Sequence, residues 1–236
     1  MKVLAVIPAR GGSKGIPRKN VRLMNGKPLI AYSLMYAKSC ELIDDIVVTT
    51  DDDELLAIAN MYGVDVVRRR EELARDSVTL DPVVYDAVCQ MEKRKEYKYD
   101  IVITLQATSP LLKSQTLNRA VDKFLKDDKD TYISVVNHAH LSWGKDENGY
   151  FPNYKERLNR QMLPPDYMET GAFFITKREF VTNSSRLGKN ISVYEVDEKE
   201  STDIDTTNDW VICEHELSRK KIIFRADGYK ELGMGH

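Results

Sequence analysis

The sequence predicts an α/β fold with a doubly wound, mostly parallel sheet, and three observations lead to that prediction. Short β-branched apolar runs at 2–7 and 101–105 are typical of strands that are buried on both faces. Segments with a helical spacing of apolar residues separate such runs, as at 28–39. Glycine, proline and acidic residues stand at the junctions. Strands that alternate with helices in this way build parallel sheets covered by helices.

The individual elements follow from the same patterns. The run DIVVTT at 45–50 predicts a strand, and the acidic residues 51–53 after it are suited to cap and stabilise the next helix. The segment ETGAFFIT predicts a further strand after a long irregular stretch. We predict strands at 2–7, 45–50, 64–67, 101–105, 132–136, 169–176 and 191–196, and helices at 28–39, 54–62, 80–94, 114–126 and 207–217.

Composition narrows the functional classes. The chain has 236 residues, which suits one α/β domain with an appendage. A formal net charge of −2 gives no global reason to expect a nucleic-acid or membrane partner. Three scattered cysteines without a CxxC pair argue against a disulfide framework or a zinc site, and they fit a reducing cytoplasm. There is no signal-peptide pattern, and no apolar run approaches the ~20 residues of a membrane span.

The loop at 9–20, directly after the first strand, carries the strongest functional signal. Parallel sheets bind ligands beyond the carboxyl ends of their strands. Glycines let backbone amides approach an anion closely, and cations complement a polyphosphate. The loop matches neither the GxxxxGK pattern of ATPases nor the GxGxxG pattern of dehydrogenases. The alternative is a solvated basic turn. The loop combines three glycines with four cations: Gly11, Gly12, Gly15, Arg10, Lys14, Arg18 and Lys19.

A second signal is the segment STDIDT at 201–206. Asp203 and Asp205 alternate around Ile204, and residues two apart in an extended backbone share a face. Mg²⁺ takes one or two protein carboxylates together with substrate phosphate oxygens. The two carboxylates therefore indicate a magnesium site for a triphosphate substrate. The alternative explains one of the two as the N-cap of the helix that follows.

Six segments together resemble a known family. IPARGGSKGIPRKN, VVTTDD, LARD, LQATSPL, RQMLPPDYMETGAFFI and DIDTTNDW occur in order, and they are similar to the acylneuraminate cytidylyltransferases, the CMP-sialic acid or CMP-nonulosonate synthetases of bacteria. The resemblance runs from Met1 to about Arg219. The related Kdo (3-deoxy-manno-octulosonate) cytidylyltransferases share the fold but have a different first loop.

The resemblance implies both fold and activity. The fold would be that of the nucleotide-diphospho-sugar transferases. The enzyme would be a nucleotidyltransferase that moves CMP from CTP to the anomeric hydroxyl of a sialic-acid-like nonulosonic acid and releases pyrophosphate, with Mg²⁺ as cofactor. Its product would serve the synthesis of surface glycans. We keep two alternatives: a sugar-1-phosphate nucleotidylyltransferase, and a non-catalytic domain that senses CTP.

The resemblance also implies roles for individual residues. Lys19 and Arg10 would be catalytic cations, with Lys19 facing the α-phosphate, and Asp203 and Asp205 would be catalytic carboxylates that hold the metal. Arg69 lies in a run of three arginines, any of which is alternatively a solvated charge. The nucleotide-binding set would be Arg10, Gly11, Gly12, Ser13, Lys14, Lys19, Asn20, Arg69 and Asp76.

The sugar side is implied in the same way. Gln106 would hydrogen-bond the sugar, although it alternatively caps the turn after its strand. Phe173 is alternatively a core residue, and Tyr167 a packing residue. The sugar-binding set would be Gln106, Arg160, Gln161, Tyr167 and Phe173.

The stretch from Asn137 to Thr170 interrupts the alternation of strands and helices. It contains two glycines, three prolines and scattered aromatic residues, so we predict an irregular excursion from the sheet. Long irregular connections are usually functional, and exposed aromatic residues call for a cover. It matches the family's dimerisation segment, and we predict a homodimer in which Arg160 lies near the neighbouring subunit's sugar pocket. The alternative is a lid over its own subunit.

Three features depart from the family pattern. A lysine expected near HAHLSWGK has no clear counterpart, since Ser142 or Trp143 occupies the best match. Met168-Glu169-Thr170 replaces an Arg–Pro–Asn motif, which indicates an acceptor with substituents other than those of N-acetylneuraminate. His138 and His140 form an HxH pair without a third ligand, so we interpret them as ordinary packed or exposed side chains.

The segment at 220–236 departs from the rest of the chain. Ile222 to Phe224 predicts a new strand, followed by a glycine-rich turn. RADGYKELGMGH resembles the opening of a nucleotide-sugar hydrolase of the pseudaminate pathway. We therefore predict a cytidylyltransferase domain at 1–219, and the truncated start of a second domain, or a tail, at 220–236.

Overall fold

The chain alternates strands and helices, as the periodicity predicts. A computed structural model describes the backbone of residues 1–230 and the side chains of residues 1–219. In chain order the elements are β1 (Val3–Pro8), β2 (Leu23–Met24), β3 (Lys27–Pro28), α1 (Leu29–Lys38), β4 (Asp45–Thr50), α2 (Asp53–Met61), β5 (Asp65–Arg68), α3 (Glu71–Ala74), α4 (Leu80–Lys95), β6 (Ile101–Leu105), α5 (Ser114–Lys126), β7 (Thr131–Asn137), β8 (Trp143–Asp146), β9 (Gly149–Pro152), β10 (Tyr167–Lys177), β11 (Ile191–Glu195) and α6 (Thr207–Lys230).

Seven of these strands form one sheet in the order β11-β7-β10-β6-β1-β4-β5. β10 runs antiparallel to both of its neighbours, β6 and β7, and every other pair in the sheet is parallel. The predicted mostly parallel sheet is therefore confirmed. The predicted acidic cap is confirmed as well, because the Asp52 carboxylate accepts a hydrogen bond of 3.1 Å from the Leu55 amide in the first turn of α2.

Both faces of the sheet are covered, which is the doubly wound arrangement. In β1, Ala5 and Ile7 pack into one cluster, and Leu4 and Val6 pack into another on the opposite face. The first cluster includes residues of α1, α2 and α5, and the second includes residues of α4. Strands buried on both sides need apolar residues at successive positions, which explains the continuous apolar runs in the sequence.

A smaller cluster joins the first loop to the C-terminal part of the chain. Ile16 from the loop packs with Met24, Leu111, Ile204 and Trp210. Ile204 is fully buried, and it stands between two aspartates of the DIDT segment. The packing therefore brings two sequence motifs about 190 residues apart to the same edge of the sheet.

The excursion at 137–170 contains more regular structure than predicted. β8 and β9 pair as an antiparallel hairpin outside the main sheet, a short 3₁₀ helix spans Arg160–Met162, and β10 begins at Tyr167. The side chains of Trp143 and Tyr150 on the hairpin are exposed at 56% and 74%. The predicted excursion from the main sheet is therefore present but partly regular, since the turn at 147–148, completed by Gly149 with a φ of +120°, allows the two strands to pair.

The strand predicted at Ile222 to Phe224 is also wrong. The helix α6 begins at Thr207 and runs through these residues to Lys230. Three apolar residues are too few to distinguish a strand from a helix, and no proline or glycine interrupts the segment before Gly228. The glycine-rich turn predicted after Phe224 is helical as far as Lys230, and its remainder at 231–236 lies outside the described residues. Among the residues that were described, no helix has the length and apolarity to cross a membrane.

Candidate active site

A cavity of about 320 Å³ opens beyond the carboxyl ends of β1 and β6. This is the edge where parallel sheets bind their ligands. The residues predicted for the site that line this cavity are Arg10, Ser13, Lys14, Lys19, Asn20, Arg69, Gln106, Asp203 and Asp205. The cavity is also lined by Pro8, Gly15, Leu80, Ala107 and Thr108.

The first loop and the DIDT segment touch each other at this cavity. The Lys19 ammonium donates a hydrogen bond to the backbone oxygen of Ile204, and it lies 3.4 Å from a carboxylate oxygen of Asp205. The Lys19 side chain is only 12% exposed. Gly15 comes so close that a Cβ atom there would clash with the backbone oxygen of Asp205. The basic loop and the acidic pair therefore form one continuous wall.

The close approach at Gly15 leads to a testable prediction. We expect Gly15→Ala to push the loop away from Asp205 and to lower both the melting temperature and kcat, because the obstacle is backbone rather than a flexible side chain. The measurements are thermal unfolding and steady-state kinetics. Gly12→Ala is the matched control in the same loop, since nothing lies within 4 Å of a Cβ atom at that position. Equal effects of the two substitutions would contradict the prediction.

Two cations of the loop are held by one carboxylate. Arg10 Nη1 lies 2.5 Å from Asp76 Oδ1, and Lys14 Nζ lies 2.9 Å from Asp76 Oδ2. The hydrogen bond from Lys14, followed by that from Arg10, holds the pKa of Asp76 below its usual range. Arg18 does not pair with Asp76, because its guanidinium pairs with Asp52 and Glu54. Of the four loop cations, Arg10, Lys14 and Lys19 line the cavity and Arg18 does not.

The three consecutive arginines, Arg68, Arg69 and Arg70, differ in their burial. Arg69 is 7% exposed and donates from Nη2 to the backbone oxygen of Thr49 at 2.8 Å, and burial lowers its pKa. Its Nε atom is buried without a partner. Arg68 and Arg70 are exposed and pair with nearby carboxylates. Arg69 is therefore the member of the run that faces the cavity, with a donor left for a ligand.

The two aspartates of the DIDT segment have different environments. Burial raises the pKa of Asp203, and the neighbouring charge of Asp205 adds to the effect. Asp203 Oδ1 is buried without a hydrogen-bond partner, whereas the Asp205 side chain is 77% exposed. Neither aspartate caps α6. The cap is Thr206, whose hydroxyl accepts from the Asp209 amide at 3.3 Å, and the Asp209 carboxylate in turn accepts from the Thr206 amide at 2.8 Å.

Several predicted site residues lie away from the cavity. Gly11 and Gly12 do not line it, and the Gly11 amide donates instead to Asp51 Oδ1 at 3.1 Å. Phe173 is fully buried in the core next to Tyr194, with ring centroids 5.9 Å apart. The burial fits the alternative of a core residue, and the Phe173 side chain does not line the cavity. An alternating strand places it on the core face.

The other predicted sugar residues belong to the excursion. Arg160 and Gln161 line a separate groove with Asn137, and Arg160 lies 3.8 Å from Glu198. Tyr167 is 47% exposed at the start of β10. His138 and His140 have ring centroids 4.7 Å apart. Among the described side chains, no group of three or more His, Cys, Asp or Glu residues is arranged to hold a metal ion.

Two residues that line the cavity, Thr108 and Leu80, are not among the predicted site residues. Thr108 lies two residues after Gln106, its backbone oxygen accepts from the Ile204 amide at 2.9 Å, and its buried hydroxyl interacts with Asp203, where it opposes the rise in pKa that burial causes. The position of Thr108 in LQATSPL was the available signal. Leu80 is the first residue of α4, and nothing in the local sequence marks it as a site residue.

The fold and the cavity define the class of protein. A mostly parallel sheet that presents a basic glycine-rich loop and a pair of carboxylates at one cavity is typical of α/β enzymes that transfer nucleotides. The family model described as cytidylyltransferase matches residues 4–226. The chain belongs to the cytidylyltransferase family, whose members are nucleotidyltransferases.

Curated relatives cover nearly the whole chain. The chain is 33% identical to the post-translational flagellin modification protein B of Campylobacter coli, over 94% of this chain and 97% of the relative. It is 33% identical to the CMP-N,N'-diacetyllegionaminic acid synthase of Campylobacter jejuni, with the same coverage. It is 31% identical to the N-acylneuraminate cytidylyltransferase A of Danio rerio, over 92% of this chain and 51% of that longer protein.

Solved structures show the same fold. A CMP:2-keto-3-deoxy-manno-octonic acid synthetase complexed with CTP has a TM-score of 0.69 at 17% identity, covering 93% of this chain and 100% of that one. A 4-diphosphocytidyl-2C-methyl-D-erythritol synthase has a TM-score of 0.67 at 14% identity, covering 92% and 99%. These likenesses establish the fold alone.

Proposed function

We propose that the protein transfers CMP from CTP to the anomeric hydroxyl of a nine-carbon 2-keto-3-deoxy sugar acid and releases pyrophosphate. The observation that carries the proposal is the contact of Lys19 with Ile204 and Asp205, which joins a phosphate-binding loop to a carboxylate pair at one cavity. The relatives named as synthases of CMP-legionaminic acid and as N-acylneuraminate cytidylyltransferases support the choice of nucleotide and acceptor class.

In this proposal the cations of the first loop bind the phosphates. Arg10, Ser13 and Lys14 line the cavity and hold the triphosphate, and Lys19, which lines the same cavity, faces the α-phosphate. Arg69, with its free Nε donor, faces the nucleoside. Gln106 lies at the end of β6 and binds the sugar acid. These groups act mainly by holding the reactants in place and by neutralising the charge that develops on pyrophosphate.

The residues at the cavity fit a magnesium ion. Asp203 has a buried carboxylate oxygen without a partner, and Asp205 lines the same cavity. Mg²⁺ is usually held by one or two carboxylates plus substrate phosphates, so two aspartates are a sufficient protein contribution. When bound, the ion would supply positive charge to the phosphate oxygens. The chain's own part is to hold the Asp203 and Asp205 carboxylates at the cavity wall.

A pyrophosphate-release assay tests the function. The protein is incubated with Mg²⁺ and with CTP, UTP, GTP or ATP, alone and with N-acetylneuraminate, a legionaminate, a pseudaminate or Kdo. We expect release with CTP and a nine-carbon acid, and little with Kdo. Release with a sugar 1-phosphate would favour the other transferase class. CTP binding without release in any combination would favour a sensing domain.

The proposal includes a homodimer with shared sites. The predicted sugar residues Arg160 and Gln161 line a groove that is separate from the cavity of their own chain. The same excursion exposes large apolar side chains, which a two-fold partner would cover: Trp143, Tyr150, Phe151, Met162, Tyr167 and Met168.

Complementation between inactive variants tests the shared site. Lys19→Ala and Arg160→Ala subunits are mixed in equal amounts after dissociation and reassociation. If each site uses Lys19 of one subunit and Arg160 of the other, every heterodimer has one intact site, and we expect about a quarter of the wild-type activity. Lys19→Ala mixed with Asp203→Asn is the control, because both residues come from one subunit and no intact site forms. Absence of recovery in the first mixture would instead support a lid within each subunit.

Two further points belong to the proposal. The proposal places the end of the transferase domain near residue 219, within α6, which continues to Lys230. The enzyme works in the cytoplasm, where its cysteines Cys40, Cys89 and Cys213 stay as thiols, as they are in the structure.

A further inference from the structure

We propose that the buried hydroxyls of Ser134 and Thr170 are positioning groups of the active site, because they fix a bulge in β10 that holds the Gly171 backbone against Gln106 and Asp203. Neither hydroxyl lines the cavity. The inference rests on the proposed function in one respect, the role of Gln106 in binding the sugar acid.

The bulge follows from the strand register. Glu169 of β10 pairs with Val135 of β7, and Phe174 pairs with Ile133. Residues 170–173 therefore stand opposite a single residue, Ser134. Within the bulge the regular ladder is interrupted, and its backbone amides need other partners.

The two hydroxyls supply those partners. Ser134 Oγ accepts from the Phe173 amide at 3.0 Å and from Thr170 Oγ1 at 2.8 Å. Thr170 Oγ1 in turn accepts from the Ala172 amide at 3.3 Å. Ser134 is 0% exposed and Thr170 is 3% exposed, so water does not offer a substitute. Removing either hydroxyl leaves a buried amide without a partner, which is costly.

The bulge brings its backbone to the site. Gly171 has a φ of +71°, in the left-handed region that favours glycine. A Cβ atom at Gly171 would lie 3.0 Å from Gln106 Nε2 and 3.3 Å from Asp203 Oδ2. The next carbonyl, that of Ala172, accepts from the Gln106 amide at 3.3 Å. This backbone segment therefore lies next to Gln106, which is proposed to bind the sugar acid, and to Asp203, which is proposed to bind the metal.

Loss of the bulge is therefore expected to affect the two substrates, the sugar acid and CTP, differently. Arg10 and Lys14 pair with Asp76, and Arg69 donates to the backbone oxygen of Thr49 in β4, so these three cations have their partners outside β10. A relaxed bulge displaces Gln106 and Asp203 but leaves the triphosphate side unchanged. The hydroxyl pair therefore controls affinity for the sugar acid and the metal, and it does not control affinity for CTP.

The experiment compares Thr170→Val and Ser134→Ala with wild type in the full chain. We expect KM for the sugar acid to rise about tenfold, as is typical when groups that orient active-site ligands are removed. The affinity for Mn²⁺, measured by electron paramagnetic resonance in the presence of CTP, falls in the same variants. The dissociation constant of CTP without metal, measured by calorimetry, stays within about twofold. Thr170→Ser keeps the hydroxyl and restores wild-type values.

Thr176→Val is the matched control. Thr176 is a buried residue of the same strand, and its hydroxyl donates to the Arg186 backbone oxygen at 2.8 Å, away from the cavity. Thr176→Val removes one hydrogen bond of a buried threonine and Thr170→Val removes at least two, so a purely structural role predicts a loss of melting temperature in both variants and equal kinetics. If Thr170→Val lowers the melting temperature but leaves both KM for the sugar acid and Mn²⁺ affinity at the values of Thr176→Val, the proposal is overturned.

One outcome would contradict the proposed function without contradicting the positioning role of the two hydroxyls. That happens if wild type binds CTP and Mn²⁺ but releases no pyrophosphate with any nonulosonic acid. The Mn²⁺ affinity then decides the positioning role by itself: a loss in Thr170→Val that Thr170→Ser recovers supports it, and an unchanged affinity overturns it. If Thr170→Val does not fold, Ser134→Ala provides the same comparison from the other strand.

Discussion

Replacement of Asp203 by asparagine is expected to lower kcat by at least about 100-fold, because it removes the buried carboxylate that faces the cavity and would hold the metal where charge develops. We expect the same substitution to raise the melting temperature of the metal-free protein by a few degrees. Burial raises the pKa of Asp203, which means that its charged form is disfavoured in the folded chain. Asparagine is nearly isosteric and carries no charge.

Asp205→Asn separates the two effects. Asp205 lines the same cavity but is 77% exposed, so its charge is solvated in the folded protein. We expect Asp205→Asn to lower kcat without raising the melting temperature. The measurements are thermal unfolding in the presence of a chelator and steady-state rates at saturating Mg²⁺. A destabilised Asp203→Asn protein, or one with a near-normal rate, would show that Asp203 is a structural residue.

The sequence predicts the fold because each buried strand is a continuous apolar run. The strands at 2–7, 45–50 and 101–105 are read directly from the chain, since a parallel sheet covered on both faces needs no polar alternation. The same pattern does not predict the hairpin of β8 and β9. It lies outside the main sheet and is mostly exposed, so it has no burial pattern to mark it.

The candidate site is predictable where function depends on local chemistry. Lys14, Lys19 and the DIDT aspartates stand in short motifs whose composition indicates anion and cation binding. Leu80 and the Ser134 hydroxyl come to the site, or support it, only through the tertiary fold. A serine in a strand and a leucine that opens a helix have no distinctive local signature, so sequence reasoning on one chain misses them.

Arg18 and Lys19 show a further limit of reasoning from sequence alone. They are neighbouring cations in one loop, and composition does not separate them. Arg18 has a φ of +55° and directs its guanidinium to Asp52 and Glu54, away from the cavity. Lys19 reaches the DIDT segment and is mostly buried there. Of these two neighbouring cations, Lys19 lines the cavity and Arg18 does not.

Lys19→Ala is accordingly expected to lower kcat by at least about 100-fold, with a much smaller effect on the dissociation constant of CTP. The ammonium lies at the junction of the two motifs, where negative charge grows as pyrophosphate departs, and a group that acts mainly on the transition state changes kcat more than ground-state binding. Single-turnover rates and calorimetric titration of CTP give the two quantities. Arg18→Ala is the matched control and should keep kcat near wild type, since Arg18 pairs with Asp52 and Glu54 and does not line the cavity. If Lys19→Ala weakens CTP binding while kcat stays unchanged, Lys19 serves to bind the nucleotide and has no specific part in the transfer step.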